Sequence, residues 1–356
     1  MSTIDAGATY AQAIPAGAPL RFLIEPWNRW DAAWYIMNAI SPYTYQASAA
    51  FAPLYSILIG IAGRLLGGNY LWAGLLLSSI ACLTAFILLY RLVIEEWGDS
   101  RAATRTLIVL AAFPTAFYLT AVYTESLFLV LVLCVFLAGR RRWWLLAGVA
   151  AALATLTRSQ GLVLVAPLAW MLFREARMMR RRSASPGQWA RFLLCGGVAL
   201  CAPIAAWTGF SLFVTGRGLP SVTESFAAGW ASSFQLPLAT VLAYVQRLGQ
   251  GLVTGAEHEG ALALIFAVTT GVYAARRFRA EYVLYIWASI LVFLSLYFEG
   301  AQFQSNARHV IVLFPVFVAL ALWINTRRWP ILLYVLVCAT WQGWMIIRFT
   351  NWSWVA

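Results

Sequence analysis

One carboxylate near the amino end of the chain is surrounded by aromatic and amide side chains. In WNRWDAAWYIMN, residues 27–38, a helix beginning at Asp31 would carry Trp34, Tyr35 and Asn38 on one face, at i+3, i+4 and i+7. An aspartate at a low-dielectric boundary suits a general base, and rings and an amide suit the C–H face and hydroxyls of a sugar. Two plainer interpretations stay open: Asp31 caps the helix, or the rings lie at a membrane interface.

Two arginines between apolar runs have the surroundings expected of a phosphate site. Arg158 lies beside hydroxyl groups and a glycine in TRSQG, residues 157–161, and Arg308 lies in SNARH, residues 305–309. Because arginine binds phosphate through several N–H groups, the two together could neutralise a lipid-linked phosphate. The alternative is that each merely ends an apolar segment and extends to water. The role of Glu125 also stays open between a functional and a structural one, since the helix dipole favours a carboxylate at the start of a helix.

Several classes of site lack support in the sequence. It contains no GxGxxG after a strand, no GxxxxGK[ST], no HExxH and no GxSxG. Only two histidines are present, so we predict no cofactor and no histidine-based metal centre, while a divalent metal requirement stays open. The arginines are not interleaved with aromatics on a soluble face, and we therefore predict no nucleic-acid partner.

The composition decides which elements must position these residues. Of 356 residues, 62% are hydrophobic and 11% are charged, and the mean hydropathy is +0.76. These values exclude a soluble enzyme, a disordered chain and a disulfide scaffold, and they predict an all-α polytopic membrane protein with about ten transmembrane helices. The predicted spans lie near 71–90, 106–122, 126–138, 145–157, 161–173, 192–214, 260–275, 282–298, 309–324 and 330–347.

The arginine distribution predicts the orientation. If these ten runs cross and the run 51–66 does not, every compact arginine cluster falls on one side of the membrane, as the positive-inside rule requires. Residues 1–70 then form an external segment in which 51–66 is an interfacial or re-entrant juxtamembrane helix. Residues 71–356 form one transmembrane module, and in a prokaryote the membrane would be the plasma membrane.

The polar chemistry is predicted to lie at the outer boundary of the membrane. No charged residue stands in the middle of any of the ten runs, which is unlike an ion-coupled transporter or a proton pump. The longest connection, the external loop 215–259, contains a mostly apolar stretch at 236–253. That stretch predicts an interfacial helix covering a site, and a poorly ordered loop is the alternative.

Five motifs in order resemble one known family. They are W-N-R-W-D-A-A-W-Y, then F-A-P-L-Y at 51–55, P-T-A-F-Y and Y-T-E-S-L-F within 114–128, L-T-R-S-Q-G at 156–161, and S-N-A-R-H with a later proline within 305–315. Together they resemble the PIG-V (GPI mannosyltransferase II) family and its prokaryotic relatives, within the GT-C glycosyltransferase superfamily. The resemblance implies a GT-C-like bundle with external juxtamembrane helices.

The resemblance also implies an activity and roles for particular residues. A mannosyl or other hexosyl group would pass from a polyprenyl-phosphate donor to an acceptor on the external face, in a single inverting displacement. Asp31 would be the base, and Arg158 and Arg308 would bind the donor phosphate. Motif position alone indicates substrate-binding roles for Glu125, Ser126 and His309. The other residues expected to bind substrate are Trp30, Trp34, Tyr35, Asn38 and Tyr123.

Some expectations stay open at this stage. Family members usually have a transmembrane helix before the aspartate loop, and residues 1–26 contain no run long enough to span, so we expect that the start is late or that the helix is dispensed with. The partners implied are the donor lipid, membrane lipids, and a glycolipid, glycan or protein acceptor. Transfer of another sugar, a lipid flippase or transporter, and a non-catalytic scaffold are the alternatives.

Overall fold

The computed structural model describes residues 20–324 and 328–355, and within them the fold is helical. The α-helices are Arg21–Ile24, Asp31–Ile40, Pro53–Leu65, Tyr70–Trp97, Ser100–Ala112, Glu125–Arg140, Trp144–Thr157, Val165–Arg181, Pro186–Gly216, Val222–Trp230, Pro237–Gly249, Gly255–Ala275, Ala280–Ser295, Asn306–Val310, Phe314–Trp323 and Arg328–Thr350. Residues 1–19 of the predicted external segment, and Arg327 of a predicted inner cluster, lie outside the described residues.

Four of these helices are long and apolar enough to cross a membrane. They are Tyr70–Trp97, Pro186–Gly216, Gly255–Ala275 and the last helix from Trp329 to Thr350. Much of their surface is exposed apolar side chains, as expected where lipid is the solvent. The prediction of an all-α membrane protein is thereby confirmed, and the chain is an integral membrane protein.

Other predicted spans are shorter or interrupted helices, and prolines explain two of the breaks. The run 106–122 leaves its α-helix at Ala112, one residue before the extended Phe113 that precedes Pro114, and continues as a 3-10 turn. The run 309–324 breaks between Val310 and Phe314, and the next helix begins with Pro315 in its first turn. A proline cannot donate a helical hydrogen bond and disfavours helical geometry in the residue before it.

Arginine clusters predicted to face the cytosol meet at one end of the bundle. Glu96 forms ion pairs with Arg140 and Arg279, and its Oε1 lies 2.8 Å from Arg279 Nε. Arg174 Nη1 lies 2.7 Å from Glu281 Oε1. These pairs join four segments that are far apart in sequence, so this end of the bundle is rich in arginine, and acidic residues compensate part of that charge.

The predicted juxtamembrane run forms a separate helix of 13 residues, Pro53–Leu65. Its Tyr55 hydroxyl lies 2.6 Å from Ser78 Oγ on the first long helix, and both side chains are buried. At 1.5 Å per residue the helix is about 20 Å long, less than the hydrocarbon core of about 30 Å. It therefore packs beside the bundle as an additional helix and is too short to span alone.

The long connection 215–259, predicted to be external, forms secondary structure. It contains the helices Val222–Trp230 and Pro237–Gly249, and the alternative of a poorly ordered loop is therefore wrong for its described residues. Between them, Ser232–Phe234 pairs antiparallel with Leu296–Phe298, with Ser232 opposite Phe298. The sequence analysis did not predict this pair, which joins the loop to the end of a distant helix.

The second helix of this connection carries an apolar stripe that residues 20–324 and 328–355 leave exposed. Leu238, Leu242 and Val245 recur at i, i+4 and i+7 on Pro237–Gly249, and all three are exposed. That spacing places them on one helical face. The pattern is the one expected of a helix lying in a membrane interface.

Candidate functional site

Asp31 begins a helix immediately after a residue with unusual backbone geometry. The helix Asp31–Ile40 follows Trp30, whose φ of 55° and ψ of −121° are rarely adopted by residues with side chains. Backbone strain of this kind, about 1–3 kcal/mol per residue, is often found at functional sites. Trp30 makes no side-chain capping bond, and the Asp31 carboxylate instead contacts an arginine from far along the chain.

That arginine, Arg308, is buried between two carboxylates. Its Nη1 donates to Asp31 Oδ2 at 2.6 Å, and its Nε lies 3.4 Å from Glu125 Oε1. Its guanidinium also lies 5.6 Å and 5.2 Å from the ring centroids of Tyr118 and Tyr123. Burial lowers the pKa of Arg308, but the charges of Asp31 and Glu125 outweigh this and raise the pKa above its usual value.

Glu125 joins the second arginine to the same cluster. It is the first residue of the helix Glu125–Arg140, and its Oε1 accepts a hydrogen bond from Arg158 Nη1. Arg158 Nη1 also donates to Thr124 Oγ1 at 3.3 Å, and that hydroxyl lies 3.5 Å from the Tyr35 hydroxyl. Two carboxylates and two guanidinium groups thus form one buried network without net charge.

A close backbone contact positions Arg158 at the end of its helix. Arg158 adopts an extended conformation after the helix Trp144–Thr157, and its carbonyl accepts a 2.9 Å bond from the Gly161 N–H. A Cβ atom at Gly161 would lie only 2.3 Å from the Thr155 nitrogen. Glycine fits there because it has no Cβ atom. The chain can therefore turn back closely against the helix, and this turn places Arg158 beside Glu125.

Aromatic rings form a wall next to Asp31. Tyr35 packs edge-on against Phe51 and Tyr55, and Trp34 stacks on Phe51 with a centroid distance of 5.6 Å. Burial raises the pKa of the Tyr35 phenol, and the charge of Asp31 raises it further, so this hydroxyl stays protonated. Tyr35 is therefore a neutral hydrogen-bonding group one helical turn from the carboxylate.

These groups border a cavity of about 760 Å³. Five predicted site residues line it, namely Asp31, Tyr35, Arg158, Arg308 and His309. The loop helix Val222–Trp230 and the two-stranded sheet contribute Phe226, Phe234 and Phe298 to its walls, so the ordered loop covers it. Most of the exposed lining is apolar, which suits a ligand that joins a polar head to a hydrocarbon chain.

The other predicted site residues lie behind this lining. Asn38 Nδ2 donates to Ser48 O at 3.3 Å and its Oδ1 accepts from the Tyr43 N–H, so its amide holds the local backbone. The Tyr123 hydroxyl donates to the carbonyl of Arg29 at 3.2 Å, beneath Arg308. Trp30, Trp34, Tyr123, Glu125 and Ser126 support or surround the lining residues and do not themselves line the cavity.

Several buried polar atoms around the cavity have no hydrogen-bond partner within the described residues. They are Glu125 Oε2, Ser126 Oγ, Gln160 Oε1, Asn306 Nδ2 and His309 Nδ1. An unsatisfied buried polar atom costs about 1–3 kcal/mol. Their concentration on three adjacent segments marks this region as one prepared to bind polar ligand groups.

The site offers limited means to hold a metal ion. In residues 20–324 and 328–355, no three His, Cys, Asp or Glu side chains group as a set of metal ligands. Asp31 and Glu125 are the carboxylates of the network, and each already contacts a guanidinium group.

Sequence reasoning missed the residues at the carboxyl end that hold the aspartate segment. Trp30 packs edge-on against Trp352 and Trp354, with centroid distances of 5.8 Å and 5.0 Å. The Arg29 guanidinium lies 4.5 Å from the Trp352 ring centroid, and the Tyr118 hydroxyl donates to the Val355 carbonyl. The only signal in the sequence was the tryptophan-rich ending itself, which is also typical of a membrane interface.

Comparisons of sequence find related proteins for part of the chain. The family model described as dolichyl-phosphate-mannose-protein mannosyltransferase matches residues 50–207. "GPI mannosyltransferase 2" of Yarrowia lipolytica is 28% identical over 134 residues, which are 38% of this chain and 37% of that protein. The protein of the same name from Schizosaccharomyces pombe is 29% identical over 148 residues, which are 40% of this chain and 31% of that protein. The chain thus matches about a third of the length of these relatives.

A comparison of structures extends the likeness over nearly the whole chain. The crystal structure of ArnT from Cupriavidus metallidurans, described as bound to undecaprenyl phosphate, matches with a TM-score of 0.54 and 16% identity. The match covers 96% of this chain and 62% of that chain, and it concerns the fold. The five motifs, the family model over residues 50–207 and the two GPI mannosyltransferase 2 sequences thus agree in the proteins that this chain is similar to, and the fold of the chain is similar to that of ArnT.

Proposed function

We propose that this protein transfers a mannosyl residue, or another hexosyl residue, from a polyprenyl-phosphate donor to an acceptor hydroxyl. The names of the relatives and of the matching family favour mannose. The observation that carries the proposal is the buried network itself, in which a single carboxylate and two guanidinium groups border one cavity. A base beside phosphate-binding groups is what glycosyl transfer from a lipid phosphate requires.

Asp31 is the proposed base. Its Oδ2 accepts from Arg308, which leaves Oδ1 to take the proton of the acceptor hydroxyl. As that proton leaves, the acceptor oxygen bonds to the anomeric carbon on the face opposite the phosphate. The bond between the anomeric carbon and the phosphate oxygen breaks, its electron pair stays on the phosphate, and the product lipid is polyprenyl phosphate. The anomeric configuration is inverted because there is one displacement.

Arg158 and Arg308 are the proposed phosphate-binding residues. Each guanidinium has five N–H donors, and the carboxylate contacts of each use only part of this set. The remaining donors can bind a phosphate without breaking the existing pairs. Negative charge that develops on the leaving phosphate is then stabilised in a site of low dielectric, where such stabilisation is strongest.

The cavity wall supplies a place for the lipid chain. Leu162, Val165 and Ala169 line it next to Arg158, while Leu291 and Val292 line it from another helix. An isoprenoid chain leaving the phosphate would contact these side chains and continue to the lipid-exposed surface of the bundle. The external face of the membrane is proposed for this end because the arginine clusters gather at the other end.

A transfer assay with a matched control tests the proposal. Membranes containing the wild type or Asp31→Asn are given radiolabelled polyprenyl-phosphate mannose, and label in the product is measured. Asp31→Asn is expected to lower transfer at least about 100-fold because the proposed base is lost, while donor binding persists because Arg308 keeps Glu125 as a counter-charge. Asp99→Asn is the control, because Asp99 caps an exposed helix start and asparagine caps equally well.

The same variants separate the alternatives. A flippase or transporter would move fluorescent polyprenyl-phosphate lipid across vesicle membranes equally well with Asp31→Asn, and unchanged label incorporation by that variant would contradict the enzyme proposal. Donors carrying glucose or galactose in place of mannose decide the sugar. Transfer from one of them alone would keep the mechanism and replace the mannosyl assignment.

A further inference from the structure

A second cavity of about 760 Å³ lies far from the Asp31 site. It is bounded by the turn before the helix Trp144–Thr157, by the end of Val165–Arg181 and by the start of Pro186–Gly216. Arg158 follows the far end of the first of these helices, whose 14 residues rise about 21 Å at 1.5 Å each. The two cavities are therefore at opposite ends of the bundle.

The charges of this second cavity are mainly positive. Arg142, Arg182 and Arg191 line it together with one acid, Glu175. Glu175 Oε2 lies 2.9 Å from Arg142 Nε and compensates that arginine. Arg182 and Arg191 form no ion pair with a carboxylate of residues 20–324 or 328–355, so the cavity keeps two uncompensated positive charges.

Its other walls are aromatic and apolar and continue onto the surface that faces lipid. Trp143 is 55% exposed, and Leu145 and Leu146 beside it are also about half exposed, while Phe192 is half-buried. Tryptophan beside arginine is typical of the headgroup level of a membrane, where an amphipathic ring and a cation both find partners. A ligand here can therefore place an anionic group on the arginines and hydrocarbon on the leucines.

We propose that this cavity binds the headgroup of an anionic glycerophospholipid from the arginine-rich side of the membrane. A basic pocket between transmembrane helices is a site at which phospholipid phosphates are bound. A free phosphate shares the charge but would leave Trp143 and the two leucines without a partner, and the lipid is therefore the better fit. Nothing in this proposal depends on the glycosyl transfer chemistry at the other end.

The test measures lipid binding to the full-length protein in a neutral detergent. Native mass spectrometry gives apparent dissociation constants for dioleoylphosphatidylglycerol and dioleoylphosphatidylcholine. The wild type is expected to bind phosphatidylglycerol about tenfold more tightly, because the cavity adds attraction only to the anionic headgroup. Equal binding of the two lipids would overturn the proposal.

Two double variants assign the effect to the cavity. Arg182→Gln with Arg191→Gln is expected to remove the preference for phosphatidylglycerol, and both side chains are exposed, so folding is retained. Arg180→Gln with Arg181→Gln removes the same charge from the end of the helix Val165–Arg181, outside the lining, and it is expected to change the preference less than about twofold. If both double variants lost the preference for phosphatidylglycerol to the same extent, the effect would come from surface charge in general, and this would contradict the proposed site.

A competition arm separates the two sources of phosphate. Glycerol 3-phosphate and inorganic phosphate are added at millimolar concentration to the wild type with bound phosphatidylglycerol. The lipid is expected to stay bound, because neither competitor replaces its contacts with the apolar wall. Displacement of the lipid by either small anion would overturn the lipid assignment and indicate a site for a soluble phosphate.

Discussion

Arg308 and Asp31 are 277 residues apart in the sequence, and their side chains form a buried hydrogen bond of 2.6 Å. The same guanidinium lies 3.4 Å from Glu125, which contacts Arg158 in turn. One arginine therefore connects the amino-terminal aspartate to the middle of the chain. The pair compensates charge and leaves the second Asp31 oxygen for the proposed proton transfer, so we expect that mutation can separate stability from activity at this site.

Removal of Arg308 alone is expected to destabilise the protein more than removal of Arg308 and Asp31 together. Arg308→Gln leaves the Asp31 carboxylate buried without a counter-charge, and breaking such a pair costs about 3–5 kcal/mol. The double variant Asp31→Asn with Arg308→Gln removes that charge and is expected to recover part of the loss in Tm. It is expected to stay inactive, because both the proposed base and one of the proposed phosphate-binding residues are gone.

Thermal unfolding in detergent and the transfer assay give the two readouts of this cycle. Arg217→Gln is the control, since Arg217 is an exposed arginine that donates to the Pro42 carbonyl and lies over the Phe213 ring, away from the Asp31 site. If the double variant unfolded at the same temperature as Arg308→Gln, the pairing of Arg308 with Asp31 would not be the source of the stability.

Arg158 is expected to contribute mainly to binding of the lipid phosphate. Arg158→Gln removes hydrogen bonds from a charged donor, which are worth about 1.5–3 kcal/mol each. The dissociation constant for polyprenyl phosphate is therefore expected to rise about tenfold or more. Arg158→Lys keeps the charge and is expected to recover only part of the affinity, because an ammonium group lacks the planar fork of donors.

Binding is measured by titration of the purified protein with polyprenyl phosphate. Arg217→Gln again serves as the control, since it removes an equal charge without touching the cavity. Unchanged affinity in Arg158→Gln would assign this arginine to the structural pairing with Glu125 alone and would remove it from the proposed phosphate site.

The sequence predicted the class of fold and several positions of interest for physical reasons. Apolar runs must be helical in lipid, because every backbone group needs a partner within its own segment. The separate juxtamembrane helix was predictable because 51–66 is too short to span and ends at two glycines. Five of the predicted site residues line one cavity, although in the sequence they are only isolated polar residues near apolar runs.

Other features depended on contacts that no single sequence displays. Arg158 and Arg308 were expected to face a phosphate directly, and their pairing with carboxylates could not be read from positions so far apart. Asn38 lies on a helix beside Asp31 as predicted, but its amide is used by the backbone of the next turn. The two-stranded sheet was missed because three-residue strands carry no periodicity.

Gly161 is expected to tolerate no side chain. In Gly161→Ala the new Cβ would lie 2.3 Å from the Thr155 nitrogen, and its nearest neighbours are all backbone atoms. The turn must shift and displace Arg158, so we expect a loss of about 1–3 kcal/mol in stability together with weaker binding of polyprenyl phosphate. Tm and the lipid titration measure the two effects.

Gly197→Ala is the matched control for this prediction. Gly197 lies within the helix Pro186–Gly216, and a Cβ there would have no atom within 4 Å. Alanine is favoured over glycine in a helix by about 0.5–1 kcal/mol, so this variant is expected to be neutral or slightly stabilised. If Gly161→Ala behaved like Gly197→Ala, the close approach of the turn to the helix would not be what positions Arg158.

Trp354 is expected to affect catalysis through the conformation of Trp30. The two rings pack edge-on at 5.0 Å, and Trp30 holds the unusual backbone geometry that immediately precedes Asp31. Trp354→Ala removes an aromatic contact worth about 0.5–1.5 kcal/mol, which is small for the whole fold but acts directly on the aspartate segment. We expect kcat to fall about tenfold while Tm changes by only a few degrees.

Trp329→Ala provides the comparison, because Trp329 belongs to the last helix and is 80% exposed. It removes an equally large ring without touching the site, and kcat is expected to stay at the wild-type value. Trp354→Phe keeps an aromatic edge against Trp30 and is expected to recover most of the activity. Trp354→Ala could instead lower the affinity for polyprenyl phosphate and leave kcat unchanged. In that case Trp354 would act on the proposed phosphate site, and the predicted effect of Trp354 on Asp31 through Trp30 would be wrong.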